Sequence, residues 1–415
     1  MSALELIRPG VAWLLGPWAP PWPPGVEQPL VLPELRALLT GDPRDASADP
    51  ALRELVLRVV EERLRRGLPA VVVAPAWPGK AFRDQLLARA KAFHAPLQVL
   101  GLEPGGPDPE LARELDELSR RRAGREVRRL ERPPPELRWA PPPCDRRELA
   151  GPFDLIGDLH GCLDELLLLL DRLGWRESGG RWSHPEGRTL VFLGDLVDRG
   201  PRIVEALRLV MDLVAQGVAL CVVGNHDDKL RRWLEGKKKV RPAHGLERTL
   251  AGIEALPAPE RELLSARALT FIRGLPDHLV LDGGRLVAVH GGLRAEMVGR
   301  TSGELRAFAL YGDTTGEVDA LGLPVRRDWA AGYSGAARIV YGHTPVPRAE
   351  WVNGTIDIDQ GCVFGGALTA LRWPEQDLVQ VQALAVHWPG RPTPPDSPDP
   401  GGADVDSRPE PEGAE

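Results

Sequence analysis

The sequence predicts an α/β protein of two units: an N-terminal parallel-sheet domain and a larger α/β domain after it. Three observations predict this. Residues 1–131 alternate short apolar runs with helical patterns. A proline-rich stretch, "RPPPELRWAPPPC" at 132–144, interrupts the alternation. Beyond it, several apolar strand-like runs stop abruptly at Gly, Asp, His or Asn, as in an open sheet that carries its chemistry past its strand ends.

In chain order, "VAWLL" at 11–15 reads as a buried strand, followed by "GPWAPPWPPG" at 16–25, half of it proline. Leucine and valine at helical spacing predict a helix over Ala51–Arg66. "PAVVVAP" at 69–75 and "PLQVLGL" at 96–102 read as strands around a helical "KAFRDQLLARAKAF". A basic stretch, Arg120–Arg129, leads into a linker placed at 132–150. The second domain is placed at 151–387, and 388–415 is read as a disordered acidic Pro/Gly-rich tail.

Of the 415 residues, 43% are hydrophobic and 27% charged, ordinary values for a soluble protein. The net charge of −7 gives no general attraction to nucleic acid, so any such contact needs a local basic patch. Cys144, Cys162, Cys221 and Cys362 form no CxxC pair, which argues against a disulfide framework or zinc knuckle and fits a reducing cytoplasm. Neither a signal peptide nor a membrane-length apolar run is visible. A cytoplasmic location is expected.

Five strand ends in the second domain carry metal-capable side chains. "FDLIGDLHG" delivers Asp158 and His160; "TLVFLGDLVDRG" delivers Asp195, Asp198 and Arg199. "VALCVVGNHDD" delivers Asn225 and His226, "RLVAVHGGL" His290, and "ARIVYGHTP" His343. A single Asp or His after a strand is ordinarily a turn or capping residue; the ordered set in one domain is not. Carboxylates, imidazoles and an amide oxygen without thiolate suit a pair of hard-to-borderline divalent ions. Asp195 is the natural shared ligand for ions about 3.5–4 Å apart, with Asp158 and His160 on the first and Asn225, His290 and His343 on the second. Such a pair binds phosphate oxygens and acidifies the water between them for in-line attack on phosphorus. Arg199 can clamp non-bridging oxygens, His226 can protonate the leaving oxygen, and Asp198 can orient that imidazole.

This set resembles the calcineurin-like metallophosphoesterases, with two β-sheets flanked by helices. More narrowly, "LIGDLHGCLDEL", "GNHDDKLRRWL", "HGLERTL", "YGDTTGE", "LPVRRDW", "VYGHTPV" and "IDQGCVFGGALTALRWPE" resemble the phosphatase domain of bacterial polynucleotide kinase-phosphatase. The resemblance spans about 153–385. It implies hydrolysis of phosphate monoesters or 2′,3′-cyclic phosphates at nucleic-acid ends, RNA ahead of DNA, with a separate ligase or kinase as partner. It implies the same roles for the nine residues above, and places Asp359 as a carboxylate near the substrate. Gln360 departs from the family, where threonine is expected. Two divalent cations are the implied cofactors, manganese first, with nickel, iron or zinc as alternatives.

The same resemblance makes the N-terminal domain a P-loop-kinase-like frame, with Arg120–Arg129 where a kinase has its lid. Its chemistry is missing. The five prolines in 16–25 remove N–H donors from the loop that would cradle a phosphate, and no lysine precedes Lys80. A degenerate kinase that does not use ATP is expected. Lys229–Arg241, with Lys237, Lys238 and Lys239, reads either as a solvated helix face or as a track for a nucleic-acid strand. His244 is a candidate for the substrate channel; His94, His184, His278 and His387 are read as structural. The rival expectations are a protein serine/threonine phosphatase, a dinucleoside polyphosphate hydrolase, and a scaffold whose working surface is the N-terminal domain.

Overall fold

The computed structural model describes residues 4–7, 10–15, 18, 28–43, 49–74, 80–103, 109–120, 125–318 and 324–389. The proline-rich loop at 16–25, apart from Trp18, and the tail from 390 lie outside the described residues.

Val11–Leu15 is apolar at every position, which suits a strand covered on both faces. It is central to a five-stranded all-parallel sheet ordered Leu30–Val31, Ala70–Ala74, Val11–Leu15, Leu97–Leu102, Arg125–Leu130. Alternate residues serve opposite layers. Trp13 and Leu15 meet Val56, Val60, Phe82 and Leu86 from the helices Asp49–Arg65 and Lys80–Ala92, while Ala12 and Leu14 meet Leu6 and Leu137. The parallel-sheet expectation holds.

Two expectations are corrected. Residues 125–130 of the arginine-rich stretch are an edge strand and not a lid. The reason is local alternation: Val127 and Leu130 pack toward opposite cores, and Arg129 pairs with Asp116 across the adjacent helix Pro109–Arg120. The stretch expected as a linker is also built into the fold. Leu137–Ala140, between its proline clusters, pairs in parallel with Leu4–Ile7, and the backbone at Cys144 and Arg146 bonds Val280 at 2.8 and 2.9 Å.

The second unit packs two sheets face to face. One runs Ala219–Cys221, Thr189–Phe192, Phe153–Ile156, Ala367–Trp373, Asp359–Gln360, with Leu378–Gln382 also on Ala367–Trp373. The other runs His278–Leu281, Leu286–Val289, Arg338–Tyr341, Thr355–Asp357, Trp351–Val352. Phe153, Leu155, Val191, Leu279, Leu286, Val340, Ile356 and Trp373 fill the space between them. The first sheet's outer face is covered by the amphipathic helices Leu163–Leu173 and Ile203–Ala215, and the second's by Leu305, Phe308 and Ala309 of the helix Gly303–Tyr311. Among the described residues no helix is long and apolar enough to cross a membrane.

Candidate active site and metal centre

Phe153–Ile156, Thr189–Phe192 and Ala219–Cys221 are parallel neighbours, so their carboxyl ends open on one edge. Leu286–Val289 and Arg338–Tyr341 do the same in the facing sheet. All five loops therefore converge. Within them His160, Asp195, Asp198, Arg199 and His343 have φ between 42° and 77°, a conformation ordinary side chains avoid. Such strain persists where neighbours over-determine the backbone. Here the His160 N–H donates to the Asp195 carbonyl at 2.7 Å. Gly224 and Gly342 are required by close approach: a Cβ on Gly224 would strike Asp195, and one on Gly342 the Asp158 carboxylate.

The imidazoles are held by their Nδ1 atoms. His160 Nδ1–H donates to the Val197 carbonyl at 2.8 Å and His290 Nδ1–H to that of Leu193 at 2.9 Å. Each bare Nε2 then faces an Asp195 oxygen, at 3.5 and 3.4 Å. His290 Nε2 also faces Asn225 Oδ1 at 2.9 Å and His343 Nδ1 at 3.1 Å. Carboxylate and amide oxygens turned toward the imidazole Nε2 atoms of His160 and His290 in a buried space call for cations between them, so the donor set fits divalent ions. Two compact groupings emerge, His160–Asp195–His226 and Asp195–His290–His343, sharing Asp195. Asp158 lines the same space, its carboxylate accepting the His343 N–H at 3.2 Å. The expected set thus meets, with the His226 ring rather than the Asp158 carboxylate completing the tighter first group.

Burial pushes the Asp195 carboxyl up to about 8. Asp158 is likewise raised well above the usual carboxylate range, by burial and then by Asp359 and Asp195 beside it. Burial holds His290 down to about 4 and His160 and His343 well below the usual imidazole range. Bare, the site disfavours charge of either sign on its own groups. Two guanidinium groups stand at imidazole nitrogens: Arg199 donates to His160 Nε2 and Arg326 to His343 Nε2, each at 2.8 Å.

His226 lies on the first turn of the helix Asn225–Leu234. Its Nδ1–H donates to Asp198 Oδ2 at 2.6 Å, leaving Nε2 toward Asp195 Oδ2 at 4.0 Å. Asp198 is locked in turn by Thr249, whose hydroxyl donates to Oδ1 and accepts the Asp198 N–H at 3.0 Å. Asp227, fully buried, accepts the N–H groups of Leu196 and Gly224 at 3.0 Å each and ties two of the loops together.

Asp158, His160, Asp195, Asp198, Arg199, Asn225, His226, His290 and His343 come together as the sequence suggested. Lys237, Lys238 and Lys239 do not. They lie exposed past the far end of a ten-residue helix that starts at the site, about 15 Å along its axis, and Glu235 pairs with Arg231 and Arg273 between. Asp359 is buried beside Asp158, with Oδ1 accepting the Gly361 N–H at 2.9 Å. Negative charge in that place suits the cation side of the site better than substrate phosphate. Gln360 points away, bonding Thr369 and the Pro347 carbonyl. Burial first, then Arg199, holds the His226 imidazole well below its usual range, and the exposed His244 is a minor contributor; His94, His184, His278 and His387 bond Ser302, Leu173, Gly299 and Glu165. Sequence reasoning missed Thr249, Asp227 and Arg326. The first sits in "HGLERTL" and the last in "LPVRRDW", both singled out as segments without those side chains being chosen.

Known proteins match this site. The calcineurin-like phosphoesterase family profile covers residues 151–347, all five loops included. A bis(5'-nucleosyl)-tetraphosphatase [asymmetrical] of Geobacillus thermodenitrificans (strain NG80-2) is 48% identical over 237 residues, 57% of this chain and 96% of that protein. The chain belongs to the calcineurin-like phosphoesterases. A second phosphoesterase relative, the bis(5'-nucleosyl)-tetraphosphatase [asymmetrical] of Halalkalibacterium halodurans, is 48% identical over 229 residues, 55% of this chain and 93% of that protein. A solved protein serine/threonine phosphatase from Saccharomyces cerevisiae is 15% identical, covering 59% of this chain and 84% of that one at a TM-score of 0.40. Neither relative is a polynucleotide kinase-phosphatase.

Proposed function

We propose that the chain hydrolyses dinucleoside tetraphosphates off-centre, to a nucleoside monophosphate and a nucleoside triphosphate. The observation that carries this is 48% identity over 96% of the length of a protein named for that reaction. The lysine run gives the nucleic-acid reading no direct support, because it begins past the far end of that helix, about 15 Å along its axis from the site. Divalent cations held by Asp158, His160, Asp195, Asn225, His290 and His343 would supply Lewis acidity and an activated water. Manganese is the first choice.

The chain's own residues do the rest. Arg199 is half-buried and stacked 5.3 Å from the Phe364 ring, with its fork turned to the site where non-bridging oxygens would lie. The attacking water's oxygen bonds phosphorus and its proton is released to solvent, the bridging P–O bond breaks, and His226, in its doubly protonated form, delivers the Nε2 proton to the leaving phosphate oxygen. Asp198 keeps the ring's Nδ1–H occupied, so that Nε2 is the atom presented. An anhydride releases phosphate, a far weaker base than the alkoxide an RNA 3′-phosphate would release, so this reaction asks less of His226.

A panel with manganese decides the substrate: diadenosine tetraphosphate, 3′-phosphate RNA, 2′,3′-cyclic-phosphate RNA and a phosphopeptide. The expected result is AMP and ATP from the first at the highest kcat/KM. Higher kcat/KM on either RNA would return the function to nucleic-acid ends. The N-terminal sheet is proposed to carry no kinase chemistry, and ATP-dependent transfer to a 5′-OH oligonucleotide would overturn that.

A further inference from the structure

A groove of about 580 Å³ opens on the segment that follows Arg199. It begins at Gly200, the residue after Arg199, and runs between the helices Ile203–Ala215 and Leu246–Glu254. Its volume lies within the roughly 300–1,000 Å³ typical of small-ligand sites. Ile203 and Val204 give it an apolar floor, and the wall opposite is kept low by Ala251 and Gly252. A Cβ on Gly252 would already stand 3.2 Å from Val204.

One polar side chain joins the groove to the catalytic loop. Arg248 donates to the Arg199 carbonyl at 2.6 Å and to the His387 carbonyl at 3.0 Å. Its guanidinium plane is backed by the Trp388 ring, 4.8 Å away. A planar cation fixed in this way offers a stacking surface for a base, and Glu205 on the rim offers an acceptor for an exocyclic amine. A phosphate held by Arg199 would thus sit next to a slot with an apolar floor and a flat cationic side.

From this continuity we infer that the groove beside Gly200 binds one nucleoside of the substrate. The inference rests on the dinucleoside tetraphosphate reading and assigns where that substrate's end lies. It also accounts for two small residues on a wall that larger side chains would fill.

The test fills the groove without touching the catalytic residues. Ala251 is exposed on its helix, so Ala251→Trp projects an indole into the space, with Ala251→Ser as control. The expected result is a KM for diadenosine tetraphosphate raised about tenfold or more, with kcat and p-nitrophenyl phosphate hydrolysis within about twofold of wild type. Unchanged KM, or equal loss on both substrates, overturns the groove while leaving the substrate reading intact. If wild type does not cleave diadenosine tetraphosphate, the substrate reading fails, and binding of ATP judges the groove alone. Weaker ATP binding by Ala251→Trp than by Ala251→Ser supports it; equal binding overturns it.

Discussion

The N-terminal sheet and the first sheet of the catalytic unit both set parallel strands side by side, with carboxyl ends open to one edge. They use those ends differently. Among the described residues, Val11–Leu15, Ala70–Ala74 and Leu97–Leu102 finish on apolar residues, and buried polar groups in that unit are few: Arg83, His94, Gln98 and Glu103. The segments that follow the catalytic strands deliver Asp158, Asp195 and Asn225, and five site residues hold left-handed backbone. The same architecture serves as a packed body in one case and as a strained polar site in the other. A parallel sheet supplies the place for chemistry, and the side chains and backbone strain at its edge supply the chemistry.

The contrast makes predictions of decreasing size. Asp195→Ala, which empties both groupings at once, should lower turnover about a thousandfold or more while circular dichroism stays native. His226→Ala should cost about 10²–10⁴-fold on an alkyl phosphate monoester and distinctly less on diadenosine tetraphosphate. Equal losses would remove His226 as the proton donor. In the other unit Leu14→Ala should cost about 2–5 kcal/mol of unfolding free energy, with kcat at 25 °C unchanged. A large fall in kcat of the folded variant would tie the N-terminal sheet to catalysis.

Thr249→Val breaks only the lock on Asp198, and should cost about 10–100-fold in kcat on the monoester with KM nearly constant. The smallest effect concerns pH. Burial, then Arg147, holds His278 down to about 3, against about 6.5 when unfolded. Above pH 6.5 both states are neutral and its contribution to stability is complete. As pH falls from there toward 3, the unfolded chain takes up a proton that the fold refuses, losing at most about 1.4 kcal/mol per pH unit. His278→Gln should therefore show a shallower loss of stability between pH 6 and 4 in urea titrations.

The site was legible where its ligands follow their strands directly. D-x-H, G-D-x-x-D-R-G, G-N-H-D and G-H-T each encode a strand end and the side chain it delivers. Thr249 was not legible, because it reaches Asp198 from a helix 51 residues away. Arg326 meets His343 from the strand Pro324–Arg326, paired with Thr314–Val318, and nothing in that segment tells Arg326 from its neighbour Arg327. The lysine run misled for the opposite reason: neighbours in sequence became distant once a straight helix lay between them. Cys162 and Cys362, with no helpful spacing, meet with Glu165 in the core.

By itself the sequence determined the two α/β units, three central strands and two helices of the first, and the nine residues that gather at the catalytic edge. These follow from patterns within a few residues of one another, where hydrophobic period and turn chemistry act. The tertiary structure decided which side chains lock the general acid, that the arginine-rich stretch closes a sheet and the proline-rich one pins two units together, and that a groove opens on the segment that follows Arg199. Those outcomes depend on packing between segments far apart in the chain, and no local pattern specifies which of them will meet.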